Sequence, residues 1–547
     1  MHRVHRALGG LFALLIVLWF ASGAVMTFAG YPRLDEAERR ALAAPLPLEV
    51  PLAVPAQLAR FLAEGASTHG ARARLAMLEG TPTWLFGEGR ARVALRAREP
   101  FEVAPLDHVR VRTEATRRLG LPVASSELQT ESDQWTVAFA RAGVLPLYRV
   151  HFADRDHTQA YFSARTGDLL QLSTRSERTL AWLGPIPHWI YPTLLRRERA
   201  LWRYTVLTLS AFGLLLTLSG TAAGLHVWRT LHKRGAPPRD PYLRWHQTLG
   251  LWFGLFVSSW LFSGALSLTP FQWTGERPAS AREQSALYGA PGGATAWDIT
   301  AALRSCSREL TVRELELTPL AGRLYAVCSD ARQQTRLVDL TDPQLRARRS
   351  LSTLELEQLA ARLADAARPA SGAQEPRAQP AHSQLGKRAQ DVGASTVVAD
   401  TYDAYHYPTH GSPDAALPYA RLALEDNEQT TYYVDPARAQ LLRKHTARTR
   451  LERWLYQGLH CFDLPGLYER RVLWRTLMLA ALALGSGLSG LGVAMTWRRW
   501  RRAALRRSRR PVATRLPARA PAPTATTARL TAATREVTCA ADQPERS

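Results

Sequence analysis

Charge is missing from four long stretches of this 547-residue chain: Ala7–Gly30, Tyr204–Trp228, Trp245–Gln272 and Thr476–Trp497 contain no Asp, Glu, Lys or Arg. Each exceeds the roughly 20 residues an α-helix needs to cross a bilayer, which excludes a wholly soluble protein. Cysteine is scarce as well, with four residues in all. No C-x-x-C-H occurs, so covalent c-type haem attachment is excluded. Cys306 and Cys328 fall in a segment expected outside the membrane, where oxidising conditions permit a disulfide. Cys461 is expected to pack, and Cys539 lies in the tail.

Positive charge, by contrast, is plentiful. The net charge is +23, which on a soluble domain would suggest nucleic acid. Here it is concentrated beside the apolar runs, and no nucleic-acid partner is expected. The tail after Trp497 holds thirteen arginines against three acids, and Arg229, Lys233, Arg234, Arg239 and Arg244 crowd the loop between the second and third runs. Basic short loops mark the cytoplasmic side. Both termini are therefore expected in the cytoplasm of a bacterial inner-membrane protein, with membrane lipid around the spans and two large periplasmic segments. Arg3 and Arg6 precede the first run as in a signal peptide, but its apolar core is too long for one and its motif recurs inside the chain, so a retained anchor is expected.

The expected order is a span over 1–30, an external domain over 31–200 and a span over 201–229. A cytoplasmic loop follows over 230–243, a span over 244–270, a second external domain over 271–471, a span over 472–498 and a disordered basic tail over 499–547. The fold class is an α-helical membrane protein with four transmembrane helices in two parallel repeats, plus two α+β external domains. In the first external segment Trp135–Ala140 alternates like a strand, and a hairpin is expected from Tyr148–Phe152 to Ala160–Ala164, turning at Arg155-Asp156-His157. In the second, Tyr419–Leu424 and Thr431–Asp435 form another. Residues 366–394, rich in Ala, Pro, Gln and Ser, read as a flexible insertion.

The halves repeat one another. His5-Arg6-Ala7-Leu8-Gly9 and His246-Gln247-Thr248-Leu249-Gly250 share H-x-x-L-G, and Ser22-Gly23 and Ser263-Gly264 follow at the same spacing. Tyr148 precedes His188 by forty residues and Tyr419 precedes His460 by forty-one; Trp182 and Trp454 precede these histidines, and Trp202-Arg203 and Trp474-Arg475 follow them. Ser219-Gly220 and Ser489-Gly490 sit in the even-numbered spans at spacings that differ by two. Units with an even number of spans keep one orientation, so a pseudo-twofold axis along the membrane normal is expected.

This symmetry puts His5 and His246 at the cytoplasmic face and His188 and His460 at the outer face. The hydrocarbon is about 30 Å thick, so no single cofactor is bridged by an inner and an outer histidine. Two sites follow, each with two histidines. Zinc takes three or four protein ligands and copper favours added Cys or Met. A haem b needs two axial imidazoles and an apolar slot, with Gly9, Gly23, Gly250 and Gly264 giving the macrocycle room. Arg196, Arg197, Arg470 and Arg471, which violate the charge rule by lying outside, are candidate partners for haem propionates. His226 has no counterpart in the other half and reads as a packing residue. Asp463 is a candidate acceptor for the second nitrogen of His460, or a cap for its turn.

The chain resembles the PepSY-associated transmembrane proteins. The resemblance rests on the histidine opening the first run, Ile186-Pro187-His188-Trp189-Ile190-Tyr191, Trp245-His246 in its motif, and Arg453-Trp454-Leu455-Tyr456-Gln457-Gly458-Leu459-His460-Cys461-Phe462-Asp463-Leu464-Pro465. It covers most of the chain apart from the tail and the 366–394 insertion. It implies PepSY-like external domains and, since some relatives are inner-membrane ferric-siderophore reductases, two haems serving transmembrane electron transfer. The donor would be cytoplasmic or quinone-type, and the acceptor a periplasmic ferric chelate or protein. Tyr402-Asp403-Ala404-Tyr405-His406-Tyr407-Pro408-Thr409-His410 is similar to the family's D-x-Y-Y-Y stretch, which makes Asp403, Tyr405, His406 and His410 candidates for contact with the chelate or for relay of electrons. The alternative for that stretch is a half-buried strand; the alternative for the whole chain is a non-redox module that binds or restrains a periplasmic partner such as a protease.

Overall fold

The computed structural model describes residues 1–49, 51–65, 71–99, 101–234, 240–274, 279–289, 297–368, 392–409 and 415–508. Most of the 366–394 insertion, His410 and residues 509–547 of the basic tail lie outside the described residues. Among the described residues, four helices are long and apolar enough to cross a membrane. They run His2–Met26, Arg199–Arg234, Pro241–Leu266 and Arg471–Ser508. The third begins with Asp240 accepting from the Tyr242 amide and Pro241 in the first turn, where proline's missing N–H leaves no donor unsatisfied. The second continues to Arg234, so the basic connection is shorter than the sequence pattern implied. Phe20, Trp260, Trp474, Met478 and Leu482 form the apolar seam between the helices.

Outside the long helices the described residues form three antiparallel sheets. The first segment supplies the helix Ala56–Gly65, strands β1 (Ala73–Leu78), β2 (Thr81–Phe86) and β3 (Val93–Arg96), and the helix His108–Leu119. Strands β4 (Val123–Gln129), β5 (Leu147–Phe152), β6 (Gln159–Ser163) and β7 (Leu169–Ser173) follow. The second supplies the helix Ile299–Ser307, strands β8 (Glu314–Leu320), β9 (Arg323–Ser329) and β10 (Thr335–Asp339), and the helix Thr353–Ala367. Strands β11 (Ala394–Ala399), β12 (Tyr419–Leu424), β13 (Thr431–Asp435) and β14 (Gln440–His445) complete it. The expected hairpins are β5–β6 and β12–β13. Cys306 and Cys328 are disulfide-bonded.

Two features differ from the sequence reading. Trp135–Ala140 is not a strand: Val137–Arg141 is a short helix following a turn that Asp133 organises. Local side chain–backbone bonds there outcompete a ladder. The segments 31–200 and 271–471 also share a sheet. β1 pairs with β8, giving the six-stranded order β10-β9-β8-β1-β2-β3, whereas β4–β7 and β11–β14 form four-stranded sheets of their own. Joining β1 to β8 removes two edges that would otherwise present unpaired N–H and C=O groups. Leu58 and Leu62 from one segment meet Leu303 and Leu315 from the other in one core.

Charge fastens the shared sheet to the β4–β7 sheet. Arg74 on β1 donates to Glu314 on β8 at 2.7 Å and to Asp168, in the β6–β7 turn, at 2.6 Å. Arg92 reaches the same Asp168 oxygen at 2.6 Å, and Arg39 bonds Glu314 through two nitrogens. Burial alone would raise both carboxyls; Arg74 and its neighbours reverse this, holding Glu314 down to about 2 and Asp168 well below the ordinary range. A depressed carboxyl stabilises the fold above its unfolded value near about 4, and that stabilisation drains as pH falls below it. Removing one member of a buried network strands the charges left behind. Asp168→Ala is expected to lower stability by about 3–5 kcal/mol, read as a fall in unfolding midpoint in detergent, whereas Asp365→Ala on the exposed Arg368 pair should give no measurable change.

Candidate functional site

Two short elements carry His188 and His460, and each begins on a sheet. After β7, Thr174 and Glu177 cap one another at the start of Arg175–Leu183, and Gly184 breaks into Pro185–Trp189, which bears His188. After β14, the helix Ala447–Arg453 widens into a π-turn over Trp454–Gly458 and closes as Leu459–Cys461, which bears His460. Ile190 and Phe462, each two residues past its histidine, hold φ of 53° and 57°. A β-branched residue there is strained. Trp202 donates its indole N–H to the carbonyl of Trp189 at 2.9 Å, and Trp474 donates to that of Cys461 at 2.8 Å. Each turn is thus pinned by the tryptophan that opens the following long helix.

The four histidines fall into two pairs. The rings of His5 and His246 lie 6.0 Å apart, and those of His188 and His460 lie 6.2 Å apart. All four treat Nδ1 alike. His5 bonds the Leu216 carbonyl at 3.0 Å, His246 that of Leu488 at 3.1 Å, His188 that of Trp19 at 3.0 Å and His460 that of Trp260 at 3.2 Å. A carbonyl only accepts, so Nδ1 carries the proton and Nε2 keeps its lone pair. Burial lowers the pKa of His188 and His460, keeping both neutral. A ligand nitrogen about 2 Å from a metal, with its ring centre about 1 Å further back, places two opposed rings about 6 Å apart. Donation of the other ring N–H to a carbonyl is how metal-binding imidazoles are oriented. Among the described residues, no cluster of three or more His, Cys, Asp or Glu offers a metal a fuller set.

Glycine makes the space. A Cβ on Gly220 would stand 2.5 Å from the His5 ring, and one on Gly264 3.0 Å from His460; Gly23 and Gly492 adjoin His188 and His246. Gly492, rather than Gly490, therefore occupies the place of Gly220, which restores an equal spacing from His460 and His188. Gly9 and Gly250 face leucine side chains instead, at 3.8 Å from Leu216 and Leu488. His188 and His460 line a cavity of about 460 Å³ with Trp19, Phe20, Trp260 and Tyr456, within the range of small-molecule and cofactor sites. His226 is exposed and belongs to neither pair.

The remaining sequence candidates have other surroundings. Arg196 donates to the Tyr31 hydroxyl at 3.1 Å and lies 4.2 Å over the Tyr191 ring; Arg197 bonds Ser132. Arg470 is exposed, and Arg471 lines a second cavity beside the first. The acceptor for His460 Nδ1 is the Trp260 carbonyl rather than Asp463, whose own carbonyl accepts from Arg453. Asp403 binds the amides of Tyr405 and His406 through Oδ1 and the Tyr433 hydroxyl through Oδ2. His406 is buried, donates through Nε2 to the Ala416 carbonyl at 2.8 Å, and stacks on Tyr433. The first half has the same turn, with Asp133 binding the Trp135 amide and the Tyr161 hydroxyl. Tyr405 accepts from the Trp454 indole at 3.3 Å, and Tyr456 stacks on His460 at 5.6 Å. The carbonyl acceptors at Leu216, Leu488, Trp19 and Trp260 have no side-chain signature.

Beside the Asp403 turn, burial and then Arg443 press His445 down to about 4 from 6.5. A base whose folded value is depressed stabilises the fold above its unfolded value. Stability is lost as pH falls from 6.5 towards 4, where only the unfolded chain takes up the proton. His445→Phe should flatten the unfolding midpoint across that window, without abolishing the slope, because His406 is shifted in the same direction. An unchanged slope would remove His445 from the account. Comparison with models of protein families and with curated proteins found no match for this chain.

Proposed function

We propose that the chain is a transmembrane electron carrier with two b-type haems, one ligated by His5 and His246 and the other by His188 and His460. The observation that carries this reading is the duplicated pairing. Two imidazole pairs stand at ligand spacing, and every Nδ1 is committed to a carbonyl. Simple packing does not require both features at both pairs. Held by two imidazoles, a haem iron supplies one-electron chemistry without an open position for oxygen or substrate.

The protein's own part is orientation and separation. Trp19, the acceptor for His188, lies fourteen residues beyond His5 on the first long helix, which sets the pairs about 20 Å apart along it. The four apolar helices are read as spans with both termini inside, and the halves as copies of one unit of the PepSY-associated family. The Asp403 and Asp133 turns brace the outer histidine segments against the β11–β14 and β4–β7 sheets. Electrons would pass from a cytoplasmic or quinone-type donor to a periplasmic ferric chelate or protein.

Protein purified from haem-replete cells should carry close to two acid-acetone-extractable haems per chain; a colourless preparation would sink the redox reading. The pairing itself is tested by low-temperature EPR. His5→Ala and His246→Ala should disturb one low-spin component, His188→Ala and His460→Ala the other, while His226→Ala leaves both. If His226→Ala removes a signal that His246→Ala keeps, the ligand assignment is wrong.

A further inference from the structure

All four imidazoles sit in cradles of one design. The carbonyl that takes each Nδ1 proton belongs to residue i of a long helix, and a glycine at i+4 leaves room for the ring. The sets are Trp19 with Gly23, Leu216 with Gly220, Trp260 with Gly264 and Leu488 with Gly492. Residues three and four apart share a helix face, so position i+3 also borders the ring. Ser22, Ser219, Ser263 and Leu491 occupy it.

Two of these serines reach the imidazoles. Ser22 Oγ lies 3.3 Å from His188 Nδ1, and Ser263 Oγ 3.3 Å from His460 Nδ1. Both side chains are buried, and each directs its own proton to a carbonyl of its helix, Ser22 to Leu18 at 2.6 Å and Ser263 to Trp260 at 3.0 Å. Nδ1 is protonated, so Oγ offers it a lone pair and the ring N–H is shared between a carbonyl and a hydroxyl. A hydroxyl that is already donating accepts more strongly. Among the described residues, the other pair has no such contact. Ser219 donates to the Leu216 carbonyl at 3.0 Å without a hydrogen bond to His5, and Leu491 has no hydroxyl to offer His246. Back-bonding alone satisfies a buried helical serine; it does not require that both rings of one pair, and neither of the other, meet a hydroxyl.

We propose that Ser22 and Ser263 are positioning residues that set the donor strength of His188 and His460 towards an axial metal. A second acceptor on Nδ1–H draws that proton away from the ring and leaves more electron density at Nε2. The stronger donor favours the ferric over the ferrous state of a haem iron held between the two rings. This lowers the midpoint potential of that haem and makes it a stronger one-electron reductant for the acceptor it serves. The iron gains or gives one electron, and both rings keep the proton on Nδ1. The inference rests on the dihaem reading for the iron; the sharing of Nδ1–H is a property of the chain alone.

The test uses the full chain in nanodiscs, with potentiometric titration of haem-loaded protein and nitrogen NMR of isotope-labelled histidines in haem-free protein. Ser22→Ala and Ser263→Ala should each raise the midpoint potential of the low-spin component that His188→Ala disturbs. At a fixed applied potential its oxidised-to-reduced ratio should fall about two- to tenfold. The other component should stay in place, and Ser22→Thr and Ser263→Thr, which keep a hydroxyl, should return part of the shift. Without haem, the Nε2 signals of His188 and His460 should move in the alanine variants while those of His5 and His246 do not. A double alanine variant with both potentials unchanged, or with both shifted alike, overturns the proposal. Nε2 signals that respond in a protein that never takes up haem keep the serine role and remove the dihaem reading. Two bound haems with Nε2 signals indifferent to both serines keep that reading and remove the serine role.

Discussion

The structure depends on one repeated constraint: an imidazole inside an apolar bundle must place its N–H on an acceptor. The carbonyls that meet this need belong to other helices. His5 reaches the second long helix, His246 the fourth, His188 the first and His460 the third. A helical carbonyl already engaged in its own ladder can take a second donor through its remaining lone pair. Each such bond fixes the ring's rotation and ties two elements together. Both effects follow from the cost of leaving a polar atom unsatisfied away from water.

From that constraint comes a division of labour along the chain. The long helices supply acceptors, glycine clearance and the aromatic seam. The sheets deliver His188 and His460 on short turns whose ends are pinned by Trp202 and Trp474. The Asp133–Tyr161 and Asp403–Tyr433 bonds tie each turn-bearing half to its own sheet. Arg74, Asp168 and Glu314 then bind the β4–β7 sheet to the shared six-stranded one. Stability and site geometry are thus maintained by separate sets of polar contacts.

Asymmetry enters beside the His188–His460 pair. Arg203 is absorbed by the Thr269 carbonyl, whereas Arg475 lies over the Phe28 ring. Positions matched in sequence need not share partners, because packing decides which acceptor each guanidinium meets. Arg196 and Arg197 illustrate the same point, since their guanidinium groups are occupied by Tyr31, Tyr191 and Ser132.

Absence of charge was sufficient to locate the four long helices, because hydrocarbon-length apolar runs have few other uses. Matched spacing brought out His5, His188, His246 and His460, and alternation located the hairpins β5–β6 and β12–β13. Periodicity failed at Trp135–Ala140, where an aspartate side chain competes with the ladder for backbone amides. It was also silent on the β1–β8 pairing and on the carbonyl acceptors, because every residue carries the same backbone groups and only the fold decides which of them meet. Residue type and spacing belong to the sequence; partners remote along the chain, such as Trp260 for His460 or Thr269 for Arg203, are chosen by packing.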